Sequence, residues 1–239
     1  MKRVCSVLLF LGLALPLAVA QNSQRPAAQS AGFTDVYHVH FNKAAVGKAS
    51  ALADVLKTPD PKAPMPEHFV AFRHQEGDDW DYCVIQHLGT KTTVDAAAVA
   101  GPSTLRDLSE WHSDTFAAGP AWPEFAHAMG LTEQGGTAAA SAVYAVAIWR
   151  AAPGHRDQLQ QALQQQPPSK VPIGHALLMH MEGGPWQYLA VDRYNSWQDY
   201  ATDAAATMPQ TGTGKDPWSQ IREHSSYHTD TLTDRIFPK

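Results

Sequence analysis

The sequence predicts an α+β protein made of two tandem copies of one strand–helix–strand–strand–helix unit. Three observations predict it. The chain repeats itself at an offset of 107 residues: Val36-Tyr37-His38-Val39 returns as Val143-Tyr144-Ala145-Val146, Gly47 as Gly154 and His68 as His175. After a one-residue slip, Trp80-Asp81-Tyr82 returns as Trp186-Gln187-Tyr188, and the stretch from Arg106 to Phe116 returns as Arg222 to Leu232. A period this long marks a duplicated domain, because solenoid repeats run to roughly 20–50 residues. Finally, apolar spacing switches between period two and helical period in the same order in both copies.

Two segments precede the repeats. Lys2 and Arg3 stand before a mostly apolar run, Val4 to Leu17, closed by Ala18-Val19-Ala20. That is the pattern of a signal peptide over residues 1–20. It predicts an exported protein, periplasmic or secreted, with no stable membrane span once cleaved. Residues 21–33, rich in Gln, Ser, Ala and Pro, read as a flexible leader. The first unit spans 34–130. A linker with Gly135-Gly136 and a run of alanines covers 131–140, and the second unit spans 141–238.

Each unit opens with a strand. Tyr37, Val39 and Phe41 alternate with His38 and His40; Tyr144, Val146 and Ile148 alternate with Ala145 and Ala147. A helix follows Gly47 or Pro153-Gly154, with Leu52, Val55 and Leu56 or Leu159 and Leu163 on one face. Pro59-Asp60-Pro61 and Pro167-Pro168 end these helices. A hairpin comes next, with arms 68–75 and 81–88 in the first copy and 175–181 and 187–194 in the second. In its second strand, either the face of His68, Val70, Phe72 and His74 or that of Phe69, Ala71 and Arg73 can look inward. Helical sequence closes each copy: Leu105, Ser109, His112 and Phe116, like Trp218, Ile221, Ser225, His228, Leu232 and Ile236, step by three or four. A short final strand is expected in 233–237.

This order of elements is that of a ferredoxin-like unit. With its two copies, the chain resembles the dimeric α+β barrel superfamily, which includes antibiotic-biosynthesis monooxygenases, EthD-like and NIPSNAP-like proteins and haem-handling enzymes. The resemblance covers about 200 residues. It implies two units packed sheet to sheet, so that one chain is its own pseudo-dimer and is monomeric. For an enzyme it implies cofactor-independent oxygenase or isomerase-like chemistry.

Removing Lys2 and Arg3 takes the formal charge from −5 to −7 and leaves no basic cluster, which excludes a nucleic-acid partner. Cys83 is the one cysteine after cleavage; flanked by Tyr82, Val84 and Ile85, it reads as a small buried hydrophobe. No Gly-x-Ser-x-Gly, His-Glu-x-x-His or Cys-x-x-Cys motif occurs. Thr211-Gly212-Thr213-Gly214-Lys215 lacks the spacing of a phosphate loop and reads as a flexible loop.

Comparing the copies assigns the faces of the sheet. Tyr37, Val39 and Phe41, with Cys83 and Ile85, stay apolar in both copies and are expected under each unit's own helices. The opposite face carries His38, His40, Tyr82, Gln86, Tyr188 and Asp192. It is expected to line a polar cavity between the sheets, the shape of a small-molecule site. His38 and His40 project about 6–7 Å apart on one side of a strand. They are the candidate catalytic acid–base pair. Joined by Gln86 or a second-strand histidine they can also hold a divalent ion, although no metal is assigned. Tyr82, Gln86, Tyr188 and Asp192 are candidate ligand contacts. His112 and His228, in the repeated aromatic-His-Ser/Thr-Asp-Thr motif, read as histidines fixing the helices or as a symmetric pair in the pocket. These residues point to binding, and in an enzyme transforming, a small apolar or aromatic molecule. A scaffold for a protein partner, and metal or haem handling, are the competing readings. The sequence names no cofactor and does not separate enzyme from binder.

Overall fold

The alternating run around His38 forms strand β1, Asp35–Ala44, of a computed structural model that describes residues 32–90, 104–131, 141–165, 171–207 and 217–238. The expected signal sequence, nearly all of the expected leader, Pro167-Pro168, all but the first residue of the expected linker and the glycine-containing stretch 211–215 lie outside the described residues. After β1 come α1 (Ala49–Leu56), β2 (Phe69–Glu76), β3 (Tyr82–Thr90), α2 (Leu105–Leu108), β4 (Ser109–Gly119) and α3 (Trp122–Ala128). The second half holds β5 (Val143–Ala151), α4 (Arg156–Gln164), β6 (Gly174–Gly183), β7 (Tyr188–Tyr194), α5 (Trp197–Thr207), α6 (Pro217–His224) and β8 (Ser225–Phe237).

The eight strands close into an antiparallel barrel in the order β1-β3-β2-β8-β5-β7-β6-β4, with β4 returning to β1. Each half contributes four strands in one spatial order, β4-β1-β3-β2 and β8-β5-β7-β6. Two seams, β2 with β8 and β4 with β6, join them. Closure leaves neither half an unpaired edge strand.

The barrel interior is filled by the apolar face of every strand. Tyr37, Val39 and Phe41 from β1 meet Val70 and Phe72 from β2, Cys83 and Ile85 from β3, and the matching Tyr144, Val146, Leu178, Leu189 and Val191. The two tyrosines of this interior core are tied at their hydroxyls: Tyr37 donates to Pro120 O (2.7 Å) and Tyr144 to Met129 O (3.0 Å). Phe125 and Met129, from α3 and its end, pack into this core. Burial pushes the Cys83 thiol well above its ordinary range and keeps it un-ionised.

This reverses the expected faces. The residues assigned to the helices point into the barrel, and the face expected between the sheets is the outer wall. In a closed barrel the interior is enclosed on all sides and takes the most apolar face, whereas helices cover only part of the outside. Leu52 and Leu56 of α1 cover Ala71 and Tyr82; Leu159 and Leu163 of α4 cover Ala147, Trp149, Leu177, Tyr188 and Ala190. For the second strand, Val70 and Phe72 settle the choice by facing inward.

The closing segments also differ from expectation. The helix ends at Leu108 or His224, and the repeated motif forms β4 and β8. The three-to-four spacing of Leu105, His112 and Phe116 coincides with a helix stripe. Yet Trp111, Thr115, Phe116, Tyr227, Thr229, Thr231 and Thr233 are residue types that favour a pleated surface, and barrel closure needs these strands.

Candidate functional site

Strand alternation puts His38, His40 and Asn42 on the outer side of β1. Register places Phe116, Asp114 and His112 of β4 directly opposite them, and Gln86, Val84 and Tyr82 of β3 on the other flank. The result is a cluster of three imidazoles around one carboxylate. His38 Nε2 is 2.9 Å from Asp114 Oδ1, a hydrogen bond; His40 Nε2 is 3.6 Å from the same oxygen, and His112 Nε2 is 3.4 Å from Oδ2. His38 and His40 stack with centroids 5.7 Å apart; His112 meets His40 edge-on, and Phe116 lies 5.4 Å from His38.

Burial divides the roles. The His40 side chain is 11% exposed, against 44% and 45% for His112 and Asp114. Burial, with the neighbouring imidazoles His38 and His112, lowers the His40 pKa to about 4 against the pull of Asp114, so its ring is neutral at neutral pH. Burial alone would raise the Asp114 carboxyl. The hydrogen bond from His38 and the charges of His40, His38 and His112 outweigh it and hold the carboxyl below its ordinary value. An ionised Asp114 accepts the proton on His38 Nε2, which leaves Nδ1 as the basic nitrogen of the neutral ring. Asn42, fully buried beside this cluster, has an amide whose oxygen and nitrogen find no hydrogen-bond partner among the described residues. Such an orphan is costly unless a water or ligand completes it.

The second half is built otherwise at the matching positions. Ala145, Ala147 and Trp149 stand where His38, His40 and Asn42 do, and Ala147 and Trp149 are closed under Leu159 and Leu163. His228 stacks on Trp149 at 4.4 Å and takes a hydrogen bond from Arg222 (2.8 Å). It therefore fixes a strand and helix and does not join His112 in a symmetric pocket.

Of the other candidates, Tyr82 and Tyr188 hold helices. The Tyr82 hydroxyl donates to Ala49 O (2.9 Å) at the start of α1, and that of Tyr188 to Arg156 O (3.1 Å) at the start of α4. Asp192 is 2.7 Å from His175 Nδ1. Gln86 is half-buried across from His38. His38, His40 and Gln86 therefore sit with the cluster, whereas Tyr188, Asp192 and His228 belong to the other half. Asp114 and Asn42 escaped the sequence reading. The alternation His38-x-His40-x-Asn42, with Trp149 opposite Asn42 in the repeat, was the available signal. Among the described residues no group of three or more His, Cys, Asp or Glu is arranged to hold a metal ion, and none of their helices is long and apolar enough to cross a membrane.

No protein-family model matches the sequence. No curated protein matches it either. Solved structures do. A putative monooxygenase from Fusobacterium nucleatum aligns with TM-score 0.58 at 7% identity, over 85% of this chain and 93% of that one. A second, from Lactobacillus acidophilus, gives 0.54 at 10% identity, over 84% and 94%. An anthrone oxidase-like protein gives 0.53 at 11% identity, over 86% and 95%. The chain thus has the dimeric α+β barrel fold, ferredoxin-like in its strand order.

Proposed function

We propose that this chain binds a small aromatic molecule against the outer wall of its first half and removes a proton from it. One observation carries the reading: the His38–Asp114 hydrogen bond, 2.9 Å long, set beside the neutral, buried His40. A carboxylate that fixes the tautomer of an imidazole and stabilises its cation makes a general base. Phe116 and Val84 supply apolar surface for a ring, and the exposed His112 imidazole and the edge of His40 supply polar contacts for its oxygen. The names of the structural neighbours support oxygenation as the fate of the deprotonated ligand. With anthrone, His38 Nδ1 would take a proton from the methylene carbon, and dioxygen would add to the carbanion. The peroxide would then lose water as the second C–H proton leaves, giving the quinone; dioxygen is the oxidant and no further reductant is needed.

The test is anthrone turnover with dioxygen uptake, alongside deuterium exchange at the methylene carbon. The parent chain should do both. Asp114→Asn should lower kcat on the order of 100-fold, the usual scale for a general base, with little change in KM. Absence of both exchange and uptake in the parent contradicts the reading; exchange without uptake leaves the base and removes the oxygenation.

The same reading makes the two halves copies of one unit and the chain a monomer that serves as its own pair, with export directed by residues 1–20. The common strand order and the matching Tyr82 and Tyr188 support the duplication.

A further inference from the structure

A second histidine network lies at the end of the barrel where β1 begins, apart from the outer-wall cluster. Asp35 Oδ2 is 2.8 Å from His87 Nε2 and also accepts the Trp122 backbone N–H at 3.0 Å. His87 Nδ1 is 3.1 Å from His68 Nδ1. The Trp122 indole fixes both rings, stacking on His68 at 4.5 Å and on His87 at 5.3 Å.

The protons in this chain follow from the acceptor at its end. A carboxylate accepts only, so His87 donates from Nε2. In the neutral ring its Nδ1 is then an acceptor, so His68 must donate from Nδ1. The lone pair of His68 Nε2 is left unused by the relay. Burial lowers both imidazole pKa values, against the pull of Asp35 on His87 and of Glu67 on His68, which keeps the rings neutral as this requires. The repeat offers a contrast. His175, the counterpart of His68, spends both nitrogens, Nδ1 on Asp192 (2.7 Å) and Nε2 on Leu163 O (3.0 Å). His87 is buried, whereas His68 is half-exposed.

We propose that Asp35, His87 and His68 form a proton relay whose terminal base, His68 Nε2, accepts a proton from a weakly acidic hydroxyl, such as that of a phenol. The ligand O–H bond breaks as N–H forms at Nε2. The proton on His68 Nδ1 passes to His87 Nδ1, and the cation comes to rest against the Asp35 carboxylate.

Two measurements on the full chain test this. Long-range nitrogen–proton NMR should show His68 as the Nδ1–H tautomer, the less common form of a free imidazole; the Nε2–H form overturns the proposal. The second uses 4-nitrophenol, whose colour reports ionisation. It should ionise on binding with a shift of the His68 ring signals, and Asp35→Asn should weaken that response tenfold or more. The amide introduced by Asp35→Asn can still accept from Trp122 and His87 through its carbonyl oxygen, so helix start and tautomer survive while the charge is lost. Asp114→Asn, in the other cluster, should leave the His68 response in place. A response equal in Asp35→Asn and the parent, or abolished by Asp114→Asn, contradicts the relay.

Discussion

At the scale of single residues, the outer wall of the first half trades stability for a neutral imidazole. His40 titrates near 6.5 when unfolded and about 4 when folded, so the unfolded chain binds the proton more readily. The stability of the buried neutral ring is whole above pH 6.5 and is lost as pH falls towards 4, by up to about 3 kcal/mol. Denaturant midpoints at several pH values should show this acid slope, and His40→Gln should flatten it. An unchanged slope would mean that His40 is solvated in solution. His175 has the opposite sign. Burial lowers its pKa, but the hydrogen bond and charge of Asp192 and the Leu163 carbonyl raise it above its ordinary value. Its contribution is therefore full below pH 6.5 and fades as pH rises through the folded value.

Among elements, the close approach of α3 to β6 makes one glycine essential. A Cβ on Gly174 would strike the carbonyl of Ala128, which Arg193 Nε already holds at 2.9 Å. Gly174→Ala should cost on the order of 1–3 kcal/mol, as overpacking does. At Gly154, φ +82° with open space around it, alanine should cost only about 1 kcal/mol, the penalty of the left-handed backbone. Thermal unfolding of the two variants compares them. The strands β1, β2, β3, β5, β6 and β7 were legible because alternation and turn residues are local signals. Strands β4 and β8 were not, because their apolar residues fall on a helix spacing by coincidence. His38 and His40 stood out against Ala145 and Ala147. Asp114 did not, because it meets His38 only through the β1–β4 pairing, across 76 residues of sequence. The inversion of the sheet faces has one physical source: in a closed barrel the inside, not the helix-covered side, is the driest.

For the whole molecule, the repeated Asp-Thr pair explains how the halves lock. Buried Thr115 of β4 accepts the N–H of Gly184 in the opposite half's hairpin turn (3.0 Å), and buried Thr231 of β8 accepts that of Asp78 (3.2 Å). Thr115→Val and Thr231→Val each keep the shape and orphan one N–H, so each should cost about 1–3 kcal/mol. Calorimetry should show one lowered transition, not two, because the halves share one core. Around that filled core the proposed site lies on the outside, over His38, His40, His112 and Asp114. The most direct test is to titrate the full chain with anthrone while following histidine and tyrosine ring signals by NMR. Saturable shifts of His38, His40 and His112, weakened in Asp114→Asn, are the predicted result; shifts confined to the interior rings of Tyr37 and Tyr144 would contradict it.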